Sequence, residues 1–263
     1  MKIRAVLFDL DETLIEEESS NDASALAACE IASARHGVDC ARLFTAMRHS
    51  SAKLWRAGPM FDYCREIGIS PREGLWGSFT GDDPTLARLR KWSVDYKIHA
   101  WTNALRDLSI DDAALAAELA QFFERDRRTR HVLFPESLQV LVELKKDYKL
   151  AIIINGAIDI QRDKIHGANL ADFFNPIIIS GEVGSGKPNP KLFQMALETL
   201  AVTPDQTVMI GDSLTRDIAG AQAVGIRTIW LNRSQATIAN HHPTPDLELR
   251  DLLTLPTILE LAD

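Results

Sequence analysis

Cysteine is scarce in this 263-residue chain, with only Cys29, Cys40 and Cys64 and no CxxC pair among them. An odd number of thiols without metal-ligand spacing excludes a disulfide framework and a zinc ribbon, and it points to a reducing compartment. Basic residues are outnumbered, with 29 Lys and Arg against 37 Asp and Glu and a net charge of -8. A protein that tracks nucleic-acid phosphates needs the opposite balance. Long apolar runs are missing as well. The most apolar windows, residues 150–158 and 176–179, fall well short of the ~18 residues a membrane span requires. The apolar stretch at residues 5–8 runs at once into acids, unlike a secretory leader. The expectation is a cytoplasmic protein with neither a nucleic-acid nor a membrane partner.

What the chain does have is an ordinary globular balance, 46% hydrophobic and 25% charged, which excludes disorder and fibrous repeats. Residues 3–8 read as a buried strand. From about residue 21 to 131 almost everything reads as helix. Segments 23–36, 41–57, 85–105 and 112–128 carry apolar residues at three- and four-residue steps, with Gly and Pro breakers between them. After Pro135 the rhythm changes to helix and strand in alternation. Apolar strands at 150–154, 176–180, 208–210 and 227–231 are separated by helices at 158–167, 190–200 and 215–224, with a helix through about 146 before the first of them. Continuous apolar strands between helices predict an α/β fold with a parallel sheet covered on both faces. The first strand belongs to that set, so residues 16–132 form an all-helical insertion in a core made of 1–15 and 133–263.

Ligands of an open parallel sheet bind beyond the carboxyl ends of its strands. There the chain places Asp9-Leu10-Asp11-Glu12-Thr13, then Asn155-Gly156, then Gly186-Lys187-Pro188, then Gly211-Asp212-Ser213 with Asp217 five residues on. Carboxylates brought so close repel one another, and protonation or a bound cation relieves them. Hard oxygen ligands suit Mg²⁺, which favours a substrate phosphate as a further ligand. Taken singly, an Asp after a strand is most often a helix N-cap. Coincidences at four different strand ends make that reading the weaker one.

Phe8-Asp9-Leu10-Asp11-Glu12-Thr13-Leu14 resembles the first motif of the haloacid dehalogenase-like (HAD) superfamily. Gly186-Lys187-Pro188-Asn189-Pro190 resembles its lysine motif, and Gly211-Asp212-Ser213 with Asp217 its acidic fourth motif. The insertion after the first motif resembles the C1 cap. Asn155-Gly156 followed by Gln161, Lys164 and Ile165 is similar to the subgroup of N-acylneuraminate-9-phosphatase and pyrimidine 5′-nucleotidases. The resemblance implies a Rossmann-like core and Mg²⁺-dependent hydrolysis of a small phosphate ester, of the sugar phosphate or nucleoside monophosphate class. It implies Asp9 as nucleophile and Asp11 as general acid and base. Asp9, the Asp11 carbonyl and Asp212 would be metal ligands with Asp217 behind them, and Lys187, Asn155 and Gly156 would bind the phosphoryl group. Ile154 departs from the pattern, since the family ends this strand in Ser or Thr.

Three other readings compete. Gly181 to Lys187 nearly spells a nucleotide-binding P-loop, but Pro188 supplies neither hydroxyl nor N–H. A 2-haloacid dehalogenase shares the nucleophile and lacks an acid two residues on. A catalytically weakened phosphate binder would explain Ile154 but has no need of Asp11. Elsewhere, Arg125, Arg127, Arg128, Arg130 and His131 are expected to be a solvated helix end. Trp55, Trp76, Trp92 and Trp101 are expected to be core of the insertion, and His241-His242 a solvated turn.

Overall fold

The computed structural model describes residues 2–239 and 241–261. Six parallel strands form one sheet: β1 (Ala5–Phe8), β2 (Lys149–Ile154), β3 (Ile177–Ile179), β4 (Thr207–Gly211), β5 (Arg227–Leu231) and β6 (Leu247–Leu249). Their spatial order is β3-β2-β1-β4-β5-β6. Five match the apolar runs of the sequence. β6 does not, because it is three residues long, lies at the sheet edge and is mostly exposed. Central β1 is buried along its whole length, as a strand covered on both faces must be.

The helices are α1 (Glu17–His36), α2 (Cys40–Arg56), α3 (Phe61–Ile67), α4 (Pro71–Gly74), α5 (Pro84–Asp107), α6 (Ala113–Arg127), α7 (Ser137–Leu144), α8 (Ile158–Gly167), α9 (Ser180–Val183), α10 (Pro190–Leu200), α11 (Ala219–Gln222) and α12 (Leu255–Leu261). The predicted helix at 215–224 is divided, since Leu214–Ile218 form a wide π-type turn and only then does α11 begin. The helix after Pro135 starts two residues later than its proline, at Ser137.

Contacts divide the chain into two units. One holds Met1–Glu16, Val132–Asn155 and Ala168–Asp263; the other holds Glu17–His131 and Gly156–Gly167. In the first, Ala5, Leu7, Ala151, Ile153, Ile178 and Met209 on one sheet face pack with Leu192, Phe193 and Ala196 of α10. This buried layer fixes the strands whose carboxyl ends carry the candidate residues.

The second unit is helical throughout. Asp39, Asp83 and Asp112 cap α2, α5 and α6 by accepting backbone N–H groups, and Ser70 with Glu73 forms a capping box on α4. Trp55, Trp76 and Trp101 are buried in its core and Trp92 packs against them, as the sequence predicts. Helix α8 falls in this unit, whereas the sequence reading groups it with the α/β core. The cause is chemical. Ala157 and Ile160 join the helical core, and Asp159 accepts the N–H groups of Ser78 and Phe79 at 2.8 and 2.9 Å. Gln161 and Lys164 donate to Glu73 at 2.8 and 3.0 Å, and Lys164 also pairs with Glu17 at 3.2 Å.

The arginine cluster is likewise not a solvated helix end. Arg127 is fully buried, paired with Glu17 and donating to Asn21 at 3.2 Å, with its guanidinium over the Trp76 ring. Arg128 donates to Asp163, the Trp76 carbonyl and Ser78. Of the five, only Arg125 is exposed. Burial alone would push the Glu17 carboxyl up, but Lys164, Arg127 and Asn21 together hold it below the usual range.

Removing one partner of a buried ion pair leaves its charge uncompensated. Lys164→Met should therefore destabilise the protein by about 3–5 kcal/mol in urea unfolding. Arg125→Ala on the neighbouring exposed face should change stability by less than about 0.5 kcal/mol. Equal small effects from both would restore the solvated reading of this region.

Candidate active site

β1 delivers Asp9 at its carboxyl end, where the Asp9 N–H continues the ladder to the Ile210 carbonyl at 2.9 Å. The chain then turns sharply. Glu12 adopts left-handed backbone (φ 58°) and its N–H returns to the Ile15 carbonyl at 2.9 Å. The Thr13 hydroxyl reaches back to Asp9 Oδ2 at 3.5 Å. Asp11 lies on this turn, half-buried.

Lys187 meets Asp9 from the loop after β3. Its ammonium donates to Asp9 Oδ1 at 2.5 Å and to the Ile153 carbonyl at 2.7 Å, and it pairs with Asp217 Oδ1 at 2.7 Å. The Lys187 backbone is gripped by Asn155, whose Nδ2 donates to the Lys187 carbonyl at 3.0 Å and whose Oδ1 accepts the Lys187 N–H at 2.7 Å. The Asn155 side chain is thus a strut for Lys187, a role the sequence reading did not foresee. Ile154, next to it, is fully buried and paired in register with Ile179. Gly156 has φ 140°, and a Cβ there would lie 2.3 Å from Gln161 Nε2, so this position requires glycine.

β4 ends at Gly211, followed by Asp212. The wide turn that follows brings Asp217 back beneath it, where Asp217 Oδ2 accepts the Ser213 N–H at 3.0 Å. A Cβ on Gly211 would stand 2.4 Å from the Asp217 carboxyl carbon, so glycine here is what lets that carboxylate approach the strand end. Oxygens of Asp9, Asp212 and Asp217 come within 4.8 Å of one another. Asp217 was expected behind the ligands; it stands among the converging carboxylates and on Lys187.

Three carboxylates face one ammonium here. Burial, then Asp9 and Asp217, push the Asp212 carboxyl up to about 8, and burial and Asp9 push Asp217 up to about 6 against the pull of Lys187. Burial would lower the Lys187 ammonium, but Asp217 and Asp9 outweigh it and hold it above its usual value. A site that resists ionising its own carboxylates, built of hard oxygen donors at a sheet edge, fits a divalent cation such as Mg²⁺.

Residues 3–225 match the family model described as haloacid dehalogenase-like hydrolase. The chain is 34% identical to a phosphoserine phosphatase of Thermus thermophilus, over 95% of this chain and 96% of the relative. It is 26% identical to the N-acylneuraminate-9-phosphatase of Mus musculus, over 100% and 96%. A magnesium-bound HAD hydrolase of Bacillus subtilis shares the fold, with TM-score 0.68 and 23% identity over 98% of this chain and 99% of that one. A 2-haloacid dehalogenase of Pseudomonas syringae superposes with TM-score 0.60 and 27% identity over 99% and 100%. With the first motif, the lysine and the acidic motif gathered at one sheet edge, and the family model spanning most of its length, the chain belongs to the haloacid dehalogenase-like hydrolases.

Proposed function

We propose that the protein is a Mg²⁺-dependent phosphatase of a small phosphate monoester, acting through an aspartyl-phosphate on Asp9. The observation that carries this reading is the Lys187 ammonium held between Asp9 and Asp217 beside Asp212. It supplies a carboxylate nucleophile fixed in orientation, with positive charge next to it for an incoming phosphoryl group. Asp11, two residues on, supplies the acid that a halide leaving group does not need. The names of the two relatives favour phosphomonoesters as substrates, and phosphoserine joins sugar phosphates and nucleoside monophosphates as the class to test. The helical unit, inserted between the first and second motifs, is proposed as the cap.

In the first step an Asp9 oxygen bonds to phosphorus while the ester P–O bond breaks. The leaving oxygen takes the proton of Asp11. In the second step water attacks phosphorus, its proton passes to the Asp11 carboxylate, and the bond from phosphorus to Asp9 breaks, restoring the enzyme and releasing phosphate. Lys187 balances charge on Asp9 and on the phosphoryl oxygens throughout. Backbone N–H groups at Asn155 and Gly156 would hold an oxygen in place of the hydroxyl missing at Ile154. Asp9, Asp212 and the Asp11 carbonyl would hold Mg²⁺, which when bound neutralises the carboxylates and withdraws charge from the phosphoryl group.

The reading is tested by phosphate release across such esters, with and without Mg²⁺. Asp9→Asn should lower turnover at least about a thousandfold while leaving the fold intact. Asp11→Asn should cost about 10²–10⁴-fold on alkyl phosphates and less in the first step on an aryl phosphate, whose leaving group needs no proton. Halide release from a 2-haloacid without added metal, and no phosphate release, would replace this reading with the dehalogenase.

Metal binding should also depend on pH. Asp212 holds its proton more tightly in the folded than in the unfolded chain, so metal-free stability should fall as pH rises from about 4 toward about 8. Asp217 adds in the same direction up to about 6. A cation competes with those protons, and the rise in melting temperature produced by Mg²⁺ should therefore grow between pH 6 and pH 8. A shift independent of pH would place the cation elsewhere.

Ile154→Thr keeps the β-branch while restoring a hydroxyl. It should raise turnover or tighten binding of a phosphate analogue, at a cost of about 1 kcal/mol or more in stability because the side chain is buried. A folded variant unchanged in both would mean that the backbone donors already suffice.

A further inference from the structure

Arg233 lies two residues past the end of β5, at the same edge of the sheet as the candidate active site. Its guanidinium is engaged on three sides. Nη2 donates to the Thr13 carbonyl at 2.9 Å, Nη1 pairs with Glu136 at 2.8 Å, and the group lies 3.5 Å from the centre of the Phe134 ring. Such a combination of planar fork and stacked face belongs to Arg and is not reproduced by Lys.

The partners come from separate stretches of chain. Thr13 closes the turn that begins at Asp9; it is fully buried, and its hydroxyl reaches Asp9. Phe134 and Glu136 belong to the segment that returns from the helical insertion. That segment is fastened to the same turn, since the Phe134 N–H and the Ser137 hydroxyl donate to the Leu14 carbonyl at 3.0 and 2.9 Å. Glu136 also accepts the Leu252 N–H at 3.4 Å. The outgoing turn, the returning segment and the end of β5 therefore meet at one guanidinium. Asp11 lies within the turn so held, two residues before the carbonyl that Arg233 grips.

We propose that Arg233 is a positioning residue for hydrolysis: through the Thr13 carbonyl it sets the path of the 9–13 turn and so the stance of Asp11 relative to Asp9. The proposal rests on the phosphatase reading above for its kinetic part and on the geometry of the turn for its structural part. Glu136 fixes the fork from the opposite side, and Phe134 keeps its plane.

The experiment compares the 263-residue chain with its Arg233→Met and Arg233→Lys variants, each shown to be folded by circular dichroism and thermal melting. On a primary alkyl phosphate kcat should fall about tenfold to a hundredfold, the range expected when a catalytic group is misplaced by an ångström or so. KM should stay within about twofold. On para-nitrophenyl phosphate the loss should be smaller, because Asp11 matters less there. In the Asp11→Asn background, Arg233→Met should add little further loss. Amide exchange read by mass spectrometry should quicken in a peptide covering residues 10–15 and stay unchanged in one covering 207–211.

Equal losses on both esters with full additivity to Asp11→Asn would overturn the kinetic part and leave Arg233 a merely structural residue. Unchanged exchange in the 10–15 peptide would overturn the proposal outright, whatever the kinetics. If the wild-type protein releases phosphate from no ester, the phosphatase reading and the kinetic part fall together; faster exchange confined to 10–15 would then still support the tie to the turn. Should Arg233→Met not fold, Arg233→Lys and Glu136→Gln make the same comparison, and wild-type behaviour in both would overturn the proposal.

Discussion

A single buried ammonium sets the terms for the candidate active site. Lys187 touches Asp9, Asp217 and the Ile153 carbonyl at once, and those three groups sit on three different strands or the turns that follow them. Without it, Asp9, Asp212 and Asp217 would be three converging carboxylates with no counter-charge among the contacts described. With it, two of them are oriented, while the carboxyl of the third, Asp212, is pushed up by its burial first and by Asp9 and Asp217 after that. The arrangement is thus incomplete in charge by construction, and under the proposed reading that deficit is what a cation at the strand ends would make up. Stability and chemistry draw on the same contacts here, since the lysine that balances the fold is also the one that would balance a phosphoryl group.

The backbone around these side chains is shaped to hold them, and the means differ from strand to strand. After β1, a left-handed Glu12 folds the chain back so that Thr13 can reach Asp9. After β2, Asn155 spends its amide on the Lys187 backbone and so fixes the root of the lysine. After β4, the missing side chain of Gly211 and the wide turn over Leu214–Ile218 together let Asp217 come up under Asp212.

What the sequence discloses and what it conceals follow from the range of the interactions. Asp9, Asp212 and Lys187 are legible because each follows an apolar strand, and a parallel sheet gathers strand ends by its topology alone. Arg127 looks like a surface residue, and the burial of Lys164 goes unannounced, because their partners are remote. Glu17 is 110 residues from Arg127, and Glu73 is 91 residues from Lys164. Nothing local distinguishes an arginine that will be buried with a carboxylate from one that will be hydrated. The sixth strand escapes for the opposite reason, since three residues of Leu-Glu-Leu hold too little pattern to read.

The allegiance of α8 is the most instructive of these cases. Its amphipathic period announces that one face is buried but not what buries it. By chain order it follows β2 and should cover the sheet, as the helices of such folds do. Its first turn instead presents Asp159 to two N–H groups of the 78–79 segment, and its next turns present Gln161 and Lys164 to Glu73. Polar contacts of this kind are demanding, because each partner left unmatched in the interior carries a desolvation cost of about 1–3 kcal/mol or more. They therefore specify a neighbour more narrowly than an apolar stripe can, and here they assign the helix to the insertion. One of the boundaries between the two units consequently falls between Asn155 and Gly156. The residue that braces Lys187 and the residue next to it, both expected at the phosphoryl group, thus belong by contact to different units of the chain.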